Sequence, residues 1–306
     1  MEGKIIHRIK TINEFHQFRN LPKPVHPLIS VIDFDAIKHL PGNSLTGLML
    51  ELYSISLKRT SNTKIKYGQQ EYDFDEGVLF FMAPCQVFGI ETYKNAESEH
   101  TGWLLLIHPD FLWNTSLAGK IKSYDFFDYA ANEALFLSEK EEGVINVIIE
   151  NIRQELYSNI DNFSQDIIVA QVETLLNYSE RFYHRQFITR KITNHGILDR
   201  MEKLLSNYFS GDDLATKGLP TVQYISEKLN VSPGYLSNLL KVLTGQSTQQ
   251  HIHNKLIEKA KEKLSATNLS VSEIAYELGF EHSQSFSKLF KGKTSQTPLE
   301  FRRSFN

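Results

Sequence analysis

The chain has 306 residues, 41% hydrophobic and 23% charged, which suits a globular protein of two domains; one cysteine, Cys85, excludes an internal disulfide and a disulfide-built secreted framework. No stretch reaches the ~20 apolar residues that span a bilayer, and residues 1–10 have no signal-peptide core, so a cytoplasmic, non-membrane protein is expected. The net charge of −3 is unevenly held: residues 217–306 carry 12 Lys and Arg against 7 Asp and Glu, residues 1–216 carry 21 against 29, and a basic end on an acidic body points to an anionic partner for that end.

The front of the chain reads as strands. Leu48, Leu50 and Leu52 alternate with Met49, Glu51 and Tyr53, and Ile55 and Leu57 extend the period of two. Tyr72 and Phe74 alternate, Asp75-Glu76-Gly77 is a turn signal, and Val78–Met82 is a short buried strand stopped by Pro84. Residues 103–107 form another such run before Pro109. Short strands at this spacing predict a small barrel or sandwich.

The period then changes. Ile145, Ile148, Ile152 and Leu156 predict a helix over 139–158, and Ile168, Val172, Leu175, Ser179 and Phe182 predict one over 164–187. The second seam is a candidate dimer interface, with packing inside its own domain as the alternative. A polar stretch from Ile188 to Gly196 places a domain boundary at 190/191. Beyond it a helix starts near Ile197 and closes at Gly211.

The C-terminal part repeats itself. Residues 225–231 (ISEKLNV) match 274–280 (IAYELGF), and 236–241 (LSNLLK) match 286–291 (FSKLFK). Each copy reads as two short helices meeting at a steep angle through a tight turn. The turn needs a left-handed residue, supplied by Asn230 in the first copy and Gly279 in the second. Ser232-Pro233 is a cap followed by proline at the first helical position. On the second helix of each copy the expected buried stripes are Leu236, Leu239, Leu240 and Leu243, and Phe286, Leu289 and Phe290. That leaves Gly234, Ser237, Asn238 and Lys241 outside on the first, and Ser283, Gln284, Ser287, Lys288 and Lys291 on the second. Asn and Gln can bond adenine edges, Lys can bond guanine or phosphate, and Ser adapts to either. A connecting helix over about 248–265 is ~27 Å long at 1.5 Å per residue, suited to successive major-groove segments ~34 Å apart.

Residues 217–306 resemble the DNA-binding domain of AraC/XylS-type transcription regulators. The resemblance rests on LSVSEIAYELGF (269–280), SFSKLFK (285–291) and Thr297-Pro298-Leu299-Glu300-Phe301-Arg302. It implies a seven-helix domain that places two recognition helices in adjacent major grooves. It also implies DNA contacts near the exposed residues just named. Asn230 replaces the usual turn glycine, Gly234 and Ser237 offer little side chain, and Thr294-Ser295 lack the glycine common before the final Thr-Pro. The stretches 72–84, 102–112 and 176–190 are similar to the family's sensor half, a cupin-like barrel followed by dimerising helices. The expected architecture is therefore α+β in two domains, a cupin-like sensor over 1–190 and an all-α DNA-binding domain over 191–306. The expected function is a sequence-specific, non-enzymatic regulator that binds double-stranded DNA. It is expected to be a homodimer and an activator, with a small-molecule effector and RNA polymerase as candidate partners.

The rival is a cupin-class metal enzyme with a DNA-binding tail. Such sites use a His-x-His pair on a strand, yet His100 and His108 lie eight apart, and His251/His253 fall on a predicted helix where side chains two apart diverge. No metal or cofactor is expected. Gly292-Lys293-Thr294 lacks the strand and first glycine of a phosphate loop. Cys85 is expected to be a buried structural thiol.

Overall fold

A computed structural model describes residues 6–37, 47–60, 65–67, 70–72, 77–89, 100–130, 133–158, 161, 163–189, 191–211 and 213–304. Phe74, Asp75 and Glu76 lie outside these, as do the side chains of Tyr67, Tyr72, Phe88 and His100. The chain divides into two compact units, 1–186 and 187–306.

The first unit contains β1 (Ile6–Ile9), α1 (Ile12–Phe18), β2 (Ile29–Asp33), β3 (Gly47–Leu50), β4 (Tyr53–Thr60), β5 (Ile65–Tyr67), β6 (Gln70–Tyr72), β7 (Val78–Met82), β8 (Val87–Gly89), β9 (His100–Ile107), α2 (Leu117–Lys120), β10 (Leu135–Phe136), α3 (Glu139–Tyr157) and α4 (Ser164–Thr189). The strands form sheets ordered β1-β3-β8, β10-β7-β4-β9-β2 and β5-β6. Among the described residues they do not close into a barrel. The run expected as one strand from Leu48 to Leu57 breaks at residues 51–52, and its halves enter different sheets. The alternation continues across the break because Leu48, Leu50, Leu52, Ile55 and Leu57 are all buried.

The five-stranded sheet is buried on both faces. Register places Ile55, Leu57, Leu79, Phe81, Trp103, Leu105 and Ile107 on one face. Helix α3 is tied to that side, with the Trp103 indole donating to Asn146 at 2.9 Å and Arg153 gripping Asp33 through two 2.8 Å bonds. The other face carries Ser54, Ser56, Lys58, Leu104 and Leu106. It packs on Ile9, Ile12, Phe15, Leu48, Leu50 and Leu52 from α1 and the smaller sheet. Gly102 is obligatory where β9 crosses β4: its φ is +121°, and a Cβ would stand 2.1 Å from the Leu57 carbonyl oxygen.

Helix α4 spends its seam inside its own unit. Ile168, Val172, Leu175, Ser179 and Phe182 are buried, and the Ser179 hydroxyl is satisfied by the Leu175 carbonyl. Gln186, buried, pairs with the outer edge of β10, accepting from Phe136 N and donating to Ala134 O. Cys85 corrects its expectation. It is exposed, in a left-handed turn (φ +70°) between β7 and β8, because its N–H is drawn to the Leu50 carbonyl.

The second unit is helical: α5 (Lys191–Ser210), α6 (Asp213–Lys217), α7 (Val222–Leu229), α8 (Pro233–Thr244), α9 (Thr248–Ala266), α10 (Val271–Glu277), α11 (Ser283–Thr294) and α12 (Pro298–Arg303). Helix α5 begins six residues before the expected Ile197, through a polar stretch that has no apolar period to reveal it. No helix among the described residues is long and apolar enough to cross a membrane.

Candidate nucleic-acid interface

Helices α7–α8 and α10–α11 are the two expected copies. The first turn is made by Asn230 at φ 57°, ψ 45°, and the second by Gly279 at φ +79°. The glycine is needed twice over. A Cβ there would meet the Gly218 Cα and the Leu214 carbonyl oxygen at 2.8 Å, so Ala would be strained in conformation and blocked by backbone. Asn230 faces no such neighbour requirement and bears the left-handed geometry with an ordinary side chain.

Each helix start is fixed by a side chain. Ser232 accepts from Tyr235 N ahead of Pro233 at the first turn of α8, and Thr221 accepts from Tyr224 N at the start of α7. Ser247, Ser270 and Thr297 form capping boxes with Gln250, Glu273 and Glu300. The backbone bonds from Ser270 and Thr297 hold the Glu273 and Glu300 carboxyls below the usual carboxylate range. The α8 and α11 ends also match, on left-handed Gly245 (φ 73°) and Ser295 (φ 61°). Serine therefore takes the backbone that glycine takes in the first copy.

Leu236, Leu239, Leu240, Phe286 and Phe290 are buried as expected, while Leu243 and Leu289 are only half-buried, at the margin of each stripe. The outward sets are equivalent positions, fifty residues apart: Gly234, Ser237, Asn238 and Lys241 against Gln284, Ser287, Lys288 and Lys291. Both follow i, i+3, i+4, i+7, which is one helix face. Lys241, Gln284, Lys288 and Lys291 are exposed; Gly234, Ser237, Asn238, Ser283 and Ser287 are partly so.

The two faces differ chemically. The Ser237 hydroxyl is engaged 3.1 Å from the Thr248 hydroxyl at the start of α9. At the equivalent position after α11 stands Pro298, which has no hydroxyl to offer Ser287. The second helix thus presents two exposed lysines and a glutamine, and the first presents one lysine beside Asn238. Sequence patterning placed all nine residues outside, yet could not show the Ser237–Thr248 bond, which depends on how α9 returns past α8.

Helix α9 joins the copies over 19 residues, ~28 Å. Asn254, near its middle, donates to Gln246 Oε1 beyond α8 at 2.8 Å and accepts from Lys293 Nζ of α11 at 3.3 Å. Arg302 holds the far end through the Leu264 and Leu269 carbonyls. His251 and His253 have separate partners, Thr244 Oγ1 and Gln249 Nε2 respectively. Burial holds both imidazoles below their usual pKa, with Lys293 adding to the effect at His253 and Glu202 opposing it at His251. In the first unit His108 Nδ1 accepts from Asp110 N. No group of three or more His, Cys, Asp or Glu among the described residues could hold a metal.

Two tight-turned helix pairs joined by a capped helix define a double helix-turn-helix domain. Residues 225–304 match the helix-turn-helix domain family. The C-terminal region of this chain is a helix-turn-helix domain of the AraC type. A transcriptional regulator encoded in the cgkA 5′ region of Pseudoalteromonas carrageenovora is 33% identical over 116 residues, 38% of this chain and 64% of that protein. The transcriptional regulatory protein YesN of Bacillus subtilis is 27% identical over 201 residues, 61% of this chain and 53% of YesN. The chain thus spans between half and two thirds of the length of these relatives. The solved C-terminal domain of the response regulator YesN from Fusobacterium nucleatum is 32% identical, with 34% of this chain covering 95% of that chain at a TM-score of 0.30.

Proposed function

We propose that this protein is a sequence-specific DNA-binding regulator of transcription, without enzymatic activity. The observation that carries it is the pair of equivalent outward faces on α8 and α11, each ending in lysine, set on two capped helix-turn-helix units. Helix α11 supplies most of the attraction to phosphate through Lys288 and Lys291, with Gln284, Ser283 and Ser287 toward base edges. Helix α8 adds Asn238 and Lys241, with Gly234 allowing close backbone approach and Ser237 steadying the connector. The first unit is a cupin-like sensor, in a reading supported by its all-round buried sheet and trailing helices. The full reading is a homodimer that activates transcription through RNA polymerase in response to a small molecule.

The test is binding of the full-length protein to mixed-sequence duplex DNA across a salt series. Electrostatic recognition predicts tight binding at 50 mM salt that weakens steeply toward 200 mM. Absence of binding at 50 mM would overturn the reading.

A further inference from the structure

The outward faces of α8 and α11 are equivalent in position and unequal in what they can read. At the first of their four equivalent positions, Gly234 has no side chain where α11 has the exposed Gln284. At the second, both helices carry serine, Ser237 and Ser287, and the difference lies behind them. Thr248, at the first turn of α9, is fully buried, and its hydroxyl meets the Ser237 hydroxyl at 3.1 Å. A buried hydroxyl is costly to leave without a partner, so this pair holds the Ser237 hydroxyl toward α9. Turning it out to a base edge would strip Thr248 of that bond, and the loss offsets what the base contact gains. Fifty residues on, the matching place is taken by Pro298, buried at the first turn of α12. Proline brings no hydroxyl, so Ser287 has no such anchor and its hydroxyl can turn to a base.

We propose that Thr248 is a positioning residue for DNA reading, which withholds Ser237 from the bases. Helix α8 is left with Asn238 and Lys241 on one block of the operator, while α11 reads the other through Gln284, Ser287 and Lys288. The operator is therefore unequal, one block sharp and one loose, although the two helix-turn-helix copies are built alike. The asymmetry originates in the element that follows each recognition helix. The local backbone suits an exchange of the two residues. Ser247, before Thr248, has φ −75° and ψ 162°, and Thr297, before Pro298, has φ −71° and ψ 156°. Both have the extended geometry that a following proline demands, and proline is at home in a first helical turn. Threonine and proline can thus change places without moving either helix start. The proposal rests on the reading of this protein as a sequence-specific DNA-binding regulator, and says how its two halves share the recognition.

The test is selection from random-sequence duplex DNA by the full-length protein and its variants. Base preference is read at each operator position, and affinity for mixed-sequence DNA is measured alongside. The wild type should enrich two blocks of unequal sharpness. Ser287→Ala should flatten one position of the sharper block by about threefold or more, whereas Ser237→Ala should leave the motif unchanged. Pro298→Thr should flatten the same position as Ser287→Ala, with mixed-sequence affinity within about twofold of wild type. Thr248→Val should sharpen one position of the looser block, and adding Ser237→Ala to it should erase that gain. Thr248→Ser, which keeps the hydroxyl, should keep the wild-type motif. A residue that only stabilised the fold would shift affinity for every sequence alike and would not depend on Ser237. If Thr248→Val does not fold, Thr248→Pro takes its place, and the contrast of Ser237→Ala with Ser287→Ala decides by itself. The proposal is overturned if Ser237→Ala flattens its block as Ser287→Ala does, if the two blocks are equally sharp, or if folded Thr248→Val leaves the motif as it was. In each of those cases a motif is still enriched and the regulator reading stands. If the wild type enriches no motif, the regulator reading itself fails and takes this proposal with it.

Discussion

Single residues decide how well each helix-turn-helix copy is made. Gly279 and Ser295 share left-handed backbone but stand in opposite situations. Gly279→Ala adds an unfavourable φ, worth ~1–2 kcal/mol, and a backbone collision with Gly218, so chemical denaturation should show a larger loss than that. Ser295→Gly relieves the same φ with no collision to remove, and should gain ~1 kcal/mol. Equal small effects at both positions would mean that the turn geometry is misassigned. Lys288→Ala should weaken DNA binding by ~1–3 kcal/mol if the lysine reads a base, or flatten the salt slope by about one unit if it touches phosphate. Lys241→Ala should cost less, because its helix presents fewer cations. A larger loss at Lys241 would reverse the ranking of the two helices. Gly279, Lys241 and Lys288 were legible in the sequence because turn chemistry and i, i+4 faces are local, whereas the left-handed Ser295 was not, since nothing local marks a serine for that backbone. Nor was the Ser237–Thr248 hydrogen bond, because it depends on how α9 returns past α8.

At the scale of elements, the connector α9 meets the end of α8 through a side chain that titrates. His251 is held neutral against Thr244, with a folded pKa below the unfolded value of ~6.5. The unfolded chain therefore binds more protons as the pH falls through that region, and stability is lost toward acid. Thermal melts of the full-length protein should show Tm falling from pH 8 to pH 5.5. His251→Gln, which keeps a bond to Thr244 within reach, should flatten that fall. An unchanged slope would place the proton uptake elsewhere. The long helices α3, α4 and α9 and the two helix pairs were visible in the sequence by period, α5 apart from its polar start, whereas α1, α2 and α6, of four to seven residues, are too short to show one. The strands were harder to place. Residues 48–57 keep one alternation although the chain turns at 51–52 to serve two sheets, and alternation reports burial without reporting which sheet does the burying. For the same reason, the seam of α4 read equally as a dimer interface or as core, and the structure places it in the core.

For the whole molecule, charge and repeat agree. The basic end carries the double helix-turn-helix domain, and the acidic body carries the sheet. A dimer would have to form on surfaces other than the Ile168–Phe182 seam. Sedimentation at high concentration, with and without DNA, should still show two copies, and a monomer under every condition would remove the dimer from the account. The most direct measurement of the central claim is selection of genomic DNA fragments by the full-length protein, at physiological salt with nonspecific competitor. The account predicts one enriched motif of two short blocks about a helical turn apart, matching α8 and α11 on adjacent grooves. If no motif is enriched, the protein is not a sequence-specific regulator.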